Sequence, residues 1–446
     1  MPAPRLVLAA AAAVLALPTA AATLPTATAA PAAVPRVVVA DIDTGVNPYH
    51  EAYYAGGGPY KGRKGPSSVT PAVLKEFGIG PSQVLKVTRT GSFAEDRARD
   101  MAMWDKVEPG KPYWFAGTNV IGISFEPKTA TSTPILADPG DTHGVGTTSA
   151  VLNANPDAVV VLVESFGEAS EEWAFNHPAV DIVTTSYGIP GSPPGMGHLA
   201  SSYTGTVLKG KLHFGAADNS PAGSPPDGTS GPWWTIGVAG FHEDTSGGRE
   251  TLSGNFVDVV ADFTQTLPYC VDCETGTRSA SGTSFATPRS AGTASLVLLE
   301  ARRKAGHRGG PLVRPDGASL MVSGKGRQIT PWQVRRALEE GSAYPSMSGY
   351  DAASALLDDT GAMPVADAAP YVQIGWGVLS TRTEYAVVAE SLAHLGVRGT
   401  PTRTKSDAAC DYMTAQHDAR VAYWDTLIPS SESFLTGFDP YVACRD

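Results

Sequence analysis

RVVVADIDTG, residues Arg36 to Gly45, decides the fold. Four β-branched or small apolar residues lead into a carboxylate, and a Thr-Gly turn ends the run. An almost unbroken apolar stretch of this length suits a strand buried on both faces of a parallel sheet. Outward from it, similar runs recur at Ala158 to Glu164, Val180 to Ser186, Lys211 to Ala217 and Trp234 to Ala239. Helical patterns follow or separate them at His143 to Asn153, Glu168 to His177, Leu199 to Lys209, Ser284 to Lys304 and Pro331 to Glu340. Strands alternating with helices predict an α/β fold, a doubly wound, mainly parallel sheet with helices on both faces. Residues 53–139 break the rhythm, being rich in Gly, Lys and aromatics, and read as a large insertion with strand character at Thr118 to Phe125.

Composition limits what such a chain does. Its 446 residues are 42% hydrophobic and 17% charged, enough for a sizeable core, while 48 glycines and 36 prolines predict many loops. The net charge of −11 argues against nucleic acid or an anionic membrane as the main partner. Arg5, the apolar run Leu6 to Leu17, Pro18 and the small residues near positions 22 and 29 read as a signal peptide over residues 1–29. Twelve apolar residues are too few to span a bilayer. The expectation is therefore a secreted protein without a membrane anchor after cleavage. The four cysteines fit that compartment, and the nearest-neighbour pairings are Cys270–Cys273 and Cys410–Cys444, the second stapling a C-terminal extension over residues 391–446.

Chemistry concentrates in three places. Ser281-Gly282-Thr283-Ser284-Phe285-Ala286-Thr287-Pro288 opens an apolar helix, so the Ser284 hydroxyl lies near unpaired backbone N–H groups and the positive end of the helix dipole. Asp43 ends a buried strand, on the edge where α/β proteins place their sites. His143-Gly144 opens another helix. A nucleophilic serine needs a base, and the base needs a carboxylate to fix its tautomer. Taken singly, each element also reads as a helix cap or a structural side chain. The order Asp, His, Ser gives them joint meaning.

With VVVADIDTGVNPYH, DTHGVGTTSAVL, EEWAFNHPAVDIVTTSYG, FGAADNS, SGNFVDVVA and SGTSFATP in order, followed by VRRALEEGSA and GWGVLS, the chain resembles the subtilisin-like serine peptidases, the subtilases. The resemblance implies a peptidase domain over residues 34–390. It also implies Ser284 as nucleophile, His143 as general base, Asp43 as its orienting carboxylate and Asn219 as the side-chain oxyanion donor. Ser186, Tyr187 and Gly188 match the edge that pairs with substrate backbone, and Ala217 and Asp218 a wall of the S1 pocket. The partners it implies are protein or peptide substrates met by a monomer. No catalytic cofactor or metal is expected; structural calcium is common in the family, but no Asp cluster here has a recognisable ligand spacing.

The departures are specific. Asp43 and His143 lie 100 residues apart, against a few dozen in the family, which locates the insertion. Val145-Gly146-Thr147-Thr148-Ser149 replaces the usual Thr-x-Val-Ala-Gly, and Asp218 replaces a glycine. Only Thr23 to Pro35 stands where a propeptide would be, well under the ~40 residues a chain needs to fold alone. Asp218 either attracts a basic P1 residue or simply fills a turn. Three other readings compete: an aspartic peptidase using Asp359-Thr360-Gly361, a sedolisin, and a peptide-binding protein without activity. The first two leave His143 unexplained.

Overall fold

The structure is a computed structural model and describes residues 34–129, 132–138, 140–188, 196–220, 228–243, 249–250, 257–310, 312–313, 319–345 and 370–425. The expected signal segment, Asp359-Thr360-Gly361 and Cys444 lie outside these residues. Nine strands form one sheet: β1 (Val38–Asp43), β2 (Val84–Leu85), β3 (Tyr113–Phe115), β4 (Val120–Ser124), β5 (Val159–Glu164), β6 (Ile182–Thr185), β7 (Leu212–Ala216), β8 (Ile236–Phe241) and β9 (Val259–Asp262). Their order is β2-β3-β4-β5-β1-β6-β7-β8-β9, and all neighbours are parallel except β3 and β4. The helices are α1 (Pro71–Glu76), α2 (Phe93–Trp104), α3 (His143–Ala154), α4 (Glu168–Asn176), α5 (Met196–Tyr203), α6 (Thr283–Ala305), α7 (Pro331–Gly341), α8 (Pro370–Ile374), α9 (Val387–His394) and α10 (Asp407–Asp425).

The fold class is the expected α/β sheet with helices on both faces. Alternation along β1 shows why. Val37 and Val39 join the core under α3 and α6, whereas Val38, Ala40 and Ile42 join the opposite core under α1 and α4. A strand apolar on both sides can sit only between two layers. The insertion extends the sheet: β2, β3 and β4 form its far edge, with α1 packed into the α4-side core.

The topology then selects the site. The chain leaves β1, builds one edge, returns to lay β5 beside β1 and crosses to lay β6 on its other side. Strand order therefore reverses at β1, which lies between β5 and β6. Such a switch point leaves a crevice at the C-terminal edge. Asp43 ends β1, and α3, the residues after β6, those after β7 and the start of α6 all converge on the same edge.

Candidate active site

Asp43 is fully buried and accepts the Thr44 N–H at 2.7 Å. His143, first residue of α3, brings Nδ1 to 2.7 and 2.9 Å from the two Asp43 oxygens. A carboxylate only accepts, so Nδ1 carries the proton and Nε2 is the nitrogen free to act as base. The first turn of α3 is held on the Thr44 turn. Thr44 Oγ1 accepts the Gly144 N–H at 2.9 Å, and the His143 N–H and the Thr44 hydroxyl both donate to Asp141 Oδ1 at 3.1 Å. A Cβ on Gly144 would lie 2.3 Å from the Thr44 carbonyl oxygen, so only glycine lets the helix approach this closely. Burial alone would push the His143 pKa down. The Asp43 charge and its hydrogen bond, with Asp141 adding to them, outweigh burial and lift the pKa to about 9.

Ser284 is the second residue of α6, and its hydroxyl donates to the Ser186 carbonyl at 3.2 Å. Phe285 lies against His143, ring centroids 5.6 Å apart, so the N-terminus of α6 faces the imidazole. Gly282 precedes this turn with φ +150°, a conformation suited to glycine. Asn219 Oδ1 accepts the Thr283 N–H at 2.9 Å and the Thr283 hydroxyl at 3.1 Å. The amide is thereby oriented, and Nδ2, without a partner among the described residues, sits where a Gly282 Cβ would be 3.4 Å away.

The remaining expected residues border the same edge. Ser186, Tyr187 and Gly188 follow β6. The Tyr187 hydroxyl donates to Glu171 Oε1 at 2.6 Å, and its carbonyl accepts from Thr229 Oγ1 at 2.9 Å. His198 Nδ1 also meets Glu171 Oε1, at 2.5 Å, giving this edge an anchor that sequence patterning did not flag. Ala217 is buried at the end of β7. Asp218 adopts φ +70°, the left-handed conformation of a glycine, and the Ser220 hydroxyl donates to its carboxylate. Beside Asp43 a cavity of about 300 Å³ is lined by Glu126, Asp138, Asp141, Glu164 and Phe166, among others. Burial, with Asp138 and Glu126 adding to it, pushes Glu164 up to about 7.

One group of metal-capable side chains occurs among the described residues: His50, Cys270 and Cys273, with ligand atoms within 4.8 Å of one another. Its valences are taken. Cys270 and Cys273 form the expected disulfide, His50 Nδ1 accepts the Ala52 N–H, and Nε2 bonds the Gly276 carbonyl at 2.8 Å. The disulfide loop is held by Asn47, whose Nδ2 donates to both the Cys270 and Cys273 carbonyls. No helix among the described residues is long and apolar enough to cross a membrane.

No protein-family model matches the chain, and none of the curated proteins does. Among solved structures it is similar to the prenylagaramide maturation protease PagA, at 13% identity over 82% of this chain and 96% of that one, with a TM-score of 0.44. It is also similar to a lanthipeptide protease, at 16% identity over 80% and 88%, TM-score 0.45. A cold-adapted subtilisin-like serine proteinase matches at 17% over 70% and 84%, TM-score 0.40. All three are proteases by name, and what this chain does rests on its own residues.

Proposed function

We propose that the chain is a secreted serine endopeptidase that hydrolyses peptide bonds through an acyl-enzyme on Ser284. The observation that supports this is the two-oxygen contact of Asp43 with His143 Nδ1, which leaves Nε2 as the basic nitrogen of a ring packed against Phe285, the residue after Ser284. Ser284 Oγ attacks the scissile carbonyl carbon while its proton passes to His143 Nε2, and Asp43 stabilises the imidazolium. For this the Ser284 hydroxyl must leave the Ser186 carbonyl for the imidazole, and rotation about χ1 is the motion that redirects it. The oxyanion is met by the Ser284 N–H and Asn219 Nδ2, two donors at a helix N-terminus. His143 then protonates the leaving amine. Water, deprotonated by His143, attacks the acyl carbonyl, and Ser284 Oγ leaves with the proton returned.

An extended peptide suits the site because Ser186, Tyr187 and Gly188 continue β6 beyond its last pairing and offer backbone groups to an added strand. Secretion is supported by the apolar run Leu6 to Leu17 and by the disulfide. A fluorophosphonate should label Ser284 of the wild type, and Ser284→Ala should lower kcat by about 10⁶-fold. Failure to label, with a folded protein, would favour the peptide-binding reading. Full activity in a clean Ser284→Ala preparation would exclude Ser284 as the nucleophile.

A further inference from the structure

Two residues before Asp43, β1 carries a second carboxyl that the reaction above does not use. Residues i and i+2 of a strand share a face, so Asp41 and Asp43 both look onto α3. Asp43 meets His143 in the first turn of that helix. Asp41 meets the next turn: its Oδ2 accepts the Thr147 hydroxyl at 2.9 Å and the Thr148 hydroxyl at 3.1 Å. Asp41 is fully buried, and its Oδ1 has no partner among the described residues. On the flanking strands it stands opposite Leu162 and Thr184. The titratable groups around it are Asp43 on its own strand, His143 on α3 and Tyr53 at the start of the insertion. The guanidinium of Arg302, from α6, is committed to Asp181 and to main-chain carbonyls at the other end of β1.

An ionised carboxylate with one oxygen bare, in a closed interior and beside a second carboxylate, is the costliest state this group has. The neutral state has an acceptor waiting. Thr147 Oγ1 also lies 3.3 Å from the Gly144 carbonyl, so the threonine proton has a second destination and its oxygen can receive the proton of Asp41. A chain of bonds then runs from Asp41 through Thr147 to Gly144, the residue after His143. We propose that Asp41 is a positioning residue for His143: its neutral carboxyl ties Thr147 and Thr148 of α3 to β1 and leaves Asp43 the anion through which that strand holds the imidazole. Burial and the Asp43 charge both push the Asp41 carboxyl well above the usual carboxylate range, in the same direction. The role of His143 as base is taken from the proposed function, and the seating of the helix is not.

Two variants separate shape from charge. Asp41→Asn keeps an acceptor and a donor but can never ionise. Asp41→Leu removes both. The readouts are the rate of fluorophosphonate labelling of Ser284 against pH, and the low-field His143 Nδ1–H proton resonance, which needs no activity. Asp41→Asn should label within about threefold of wild type with the same pH midpoint and keep the resonance. Asp41→Leu should label slower by about 10²-fold at every pH, the scale of a ~1 Å misplacement, and lose or broaden the resonance. If Asp41→Leu does not fold, Thr147→Val/Thr148→Val removes both hydroxyls that Asp41 meets and carries the same expectation. A lower pH midpoint in Asp41→Asn would mean that Asp41 acts as a charge, overturning the proposal. So would an unperturbed resonance in Asp41→Leu or in the threonine pair. A wild type that keeps the resonance but never labels refutes the peptidase reading alone, and the resonance still tests the helix seating.

Discussion

At His143 burial and charge pull in opposite directions, and charge prevails. A pKa raised to about 9 moves the acid limb of activity away from the neutrality that an ordinary histidine of pKa about 6.5 predicts. Hydrolysis should therefore rise as pH passes upward through about 9. The stability sign is the reverse. The ion pair contributes fully below the unfolded value near 6.5 and is lost as pH climbs through the folded one. In Asp43→Asn the largest raising influence is gone, so the limb should move to lower pH while kcat falls by about 10⁴-fold, because the tautomer is no longer fixed. A pH–rate series on both proteins checks this, and an unmoved limb in the variant would mean that Asp43 does not set the pKa. Asp218 is also a residue-scale question. Its φ of +70° and the Ser220 hydrogen bond give it the work of a turn, so Asp218→Asn should leave the P1 profile unchanged. A Lys/Arg preference that collapses in the variant would instead make Asp218 a specificity residue.

At the scale of elements, the site depends on how α3 lies across α6. Glycines set both ends of that contact. A Cβ on Gly292 would fall 2.6 Å from the Val151 carbonyl oxygen, which is backbone and cannot yield locally. A Cβ on Gly146 would fall 2.7 Å from the Phe285 ring, which can turn, but Phe285 also packs on His143. Gly292→Ala should thus cost about 1–3 kcal/mol in thermal unfolding with kcat nearly kept. Gly146→Ala should cost kcat more than stability. Equal losses of both kinds in both variants would contradict this division. Legibility follows from the same elements. β1, β5, β6, β7 and β8 announce themselves because both faces are apolar, and Asp43, His143 and Ser284 because they end or open such elements. β2 and β3 are two and three residues long, too short for any period to register. The helix expected to reach Lys209 ends as α5 at Tyr203 and continues as one π-helical turn, Thr204–Leu208, where Gly205 lies against Phe175. Asp41 was hidden by its setting: a carboxyl inside an apolar strand, its partners more than a hundred residues away.

Across the whole molecule, α6 is a rod with the candidate nucleophile at one end and a buried cation at the other. Arg302 is fully buried and donates to both Asp181 oxygens, at 2.7 and 2.8 Å, to the Arg36 carbonyl at 2.8 Å and to the Met321 carbonyl at 2.9 Å. Asp181 in turn accepts the Val38 N–H at 2.9 Å. One ion pair therefore joins the foot of β1, the foot of β6 and the end of α6, far from Ser284 but on its helix. Burial would raise the Asp181 pKa, but the Arg302 charge and hydrogen bonds, then Arg36, hold it below the usual value. A depressed carboxylate stabilises the fold above its unfolded pKa of about 3.9, and this contribution is lost as pH falls through the folded one. Arg302→Leu strands a buried anion that keeps the Val38 N–H but has its remaining guanidinium, Arg36, 3.8 Å away, and should cost about 3–5 kcal/mol in urea unfolding at pH 7. The gap in stability between variant and wild type should then narrow as pH falls, since protonating Asp181 relieves the stranded charge. Arg302→Leu/Asp181→Leu should recover most of the loss, because the cost lies in the unpaired charge more than in the missing bond. If the double variant is no more stable than the single one, the pair is held for its hydrogen-bond geometry at the feet of β1 and β6, and the charge is incidental.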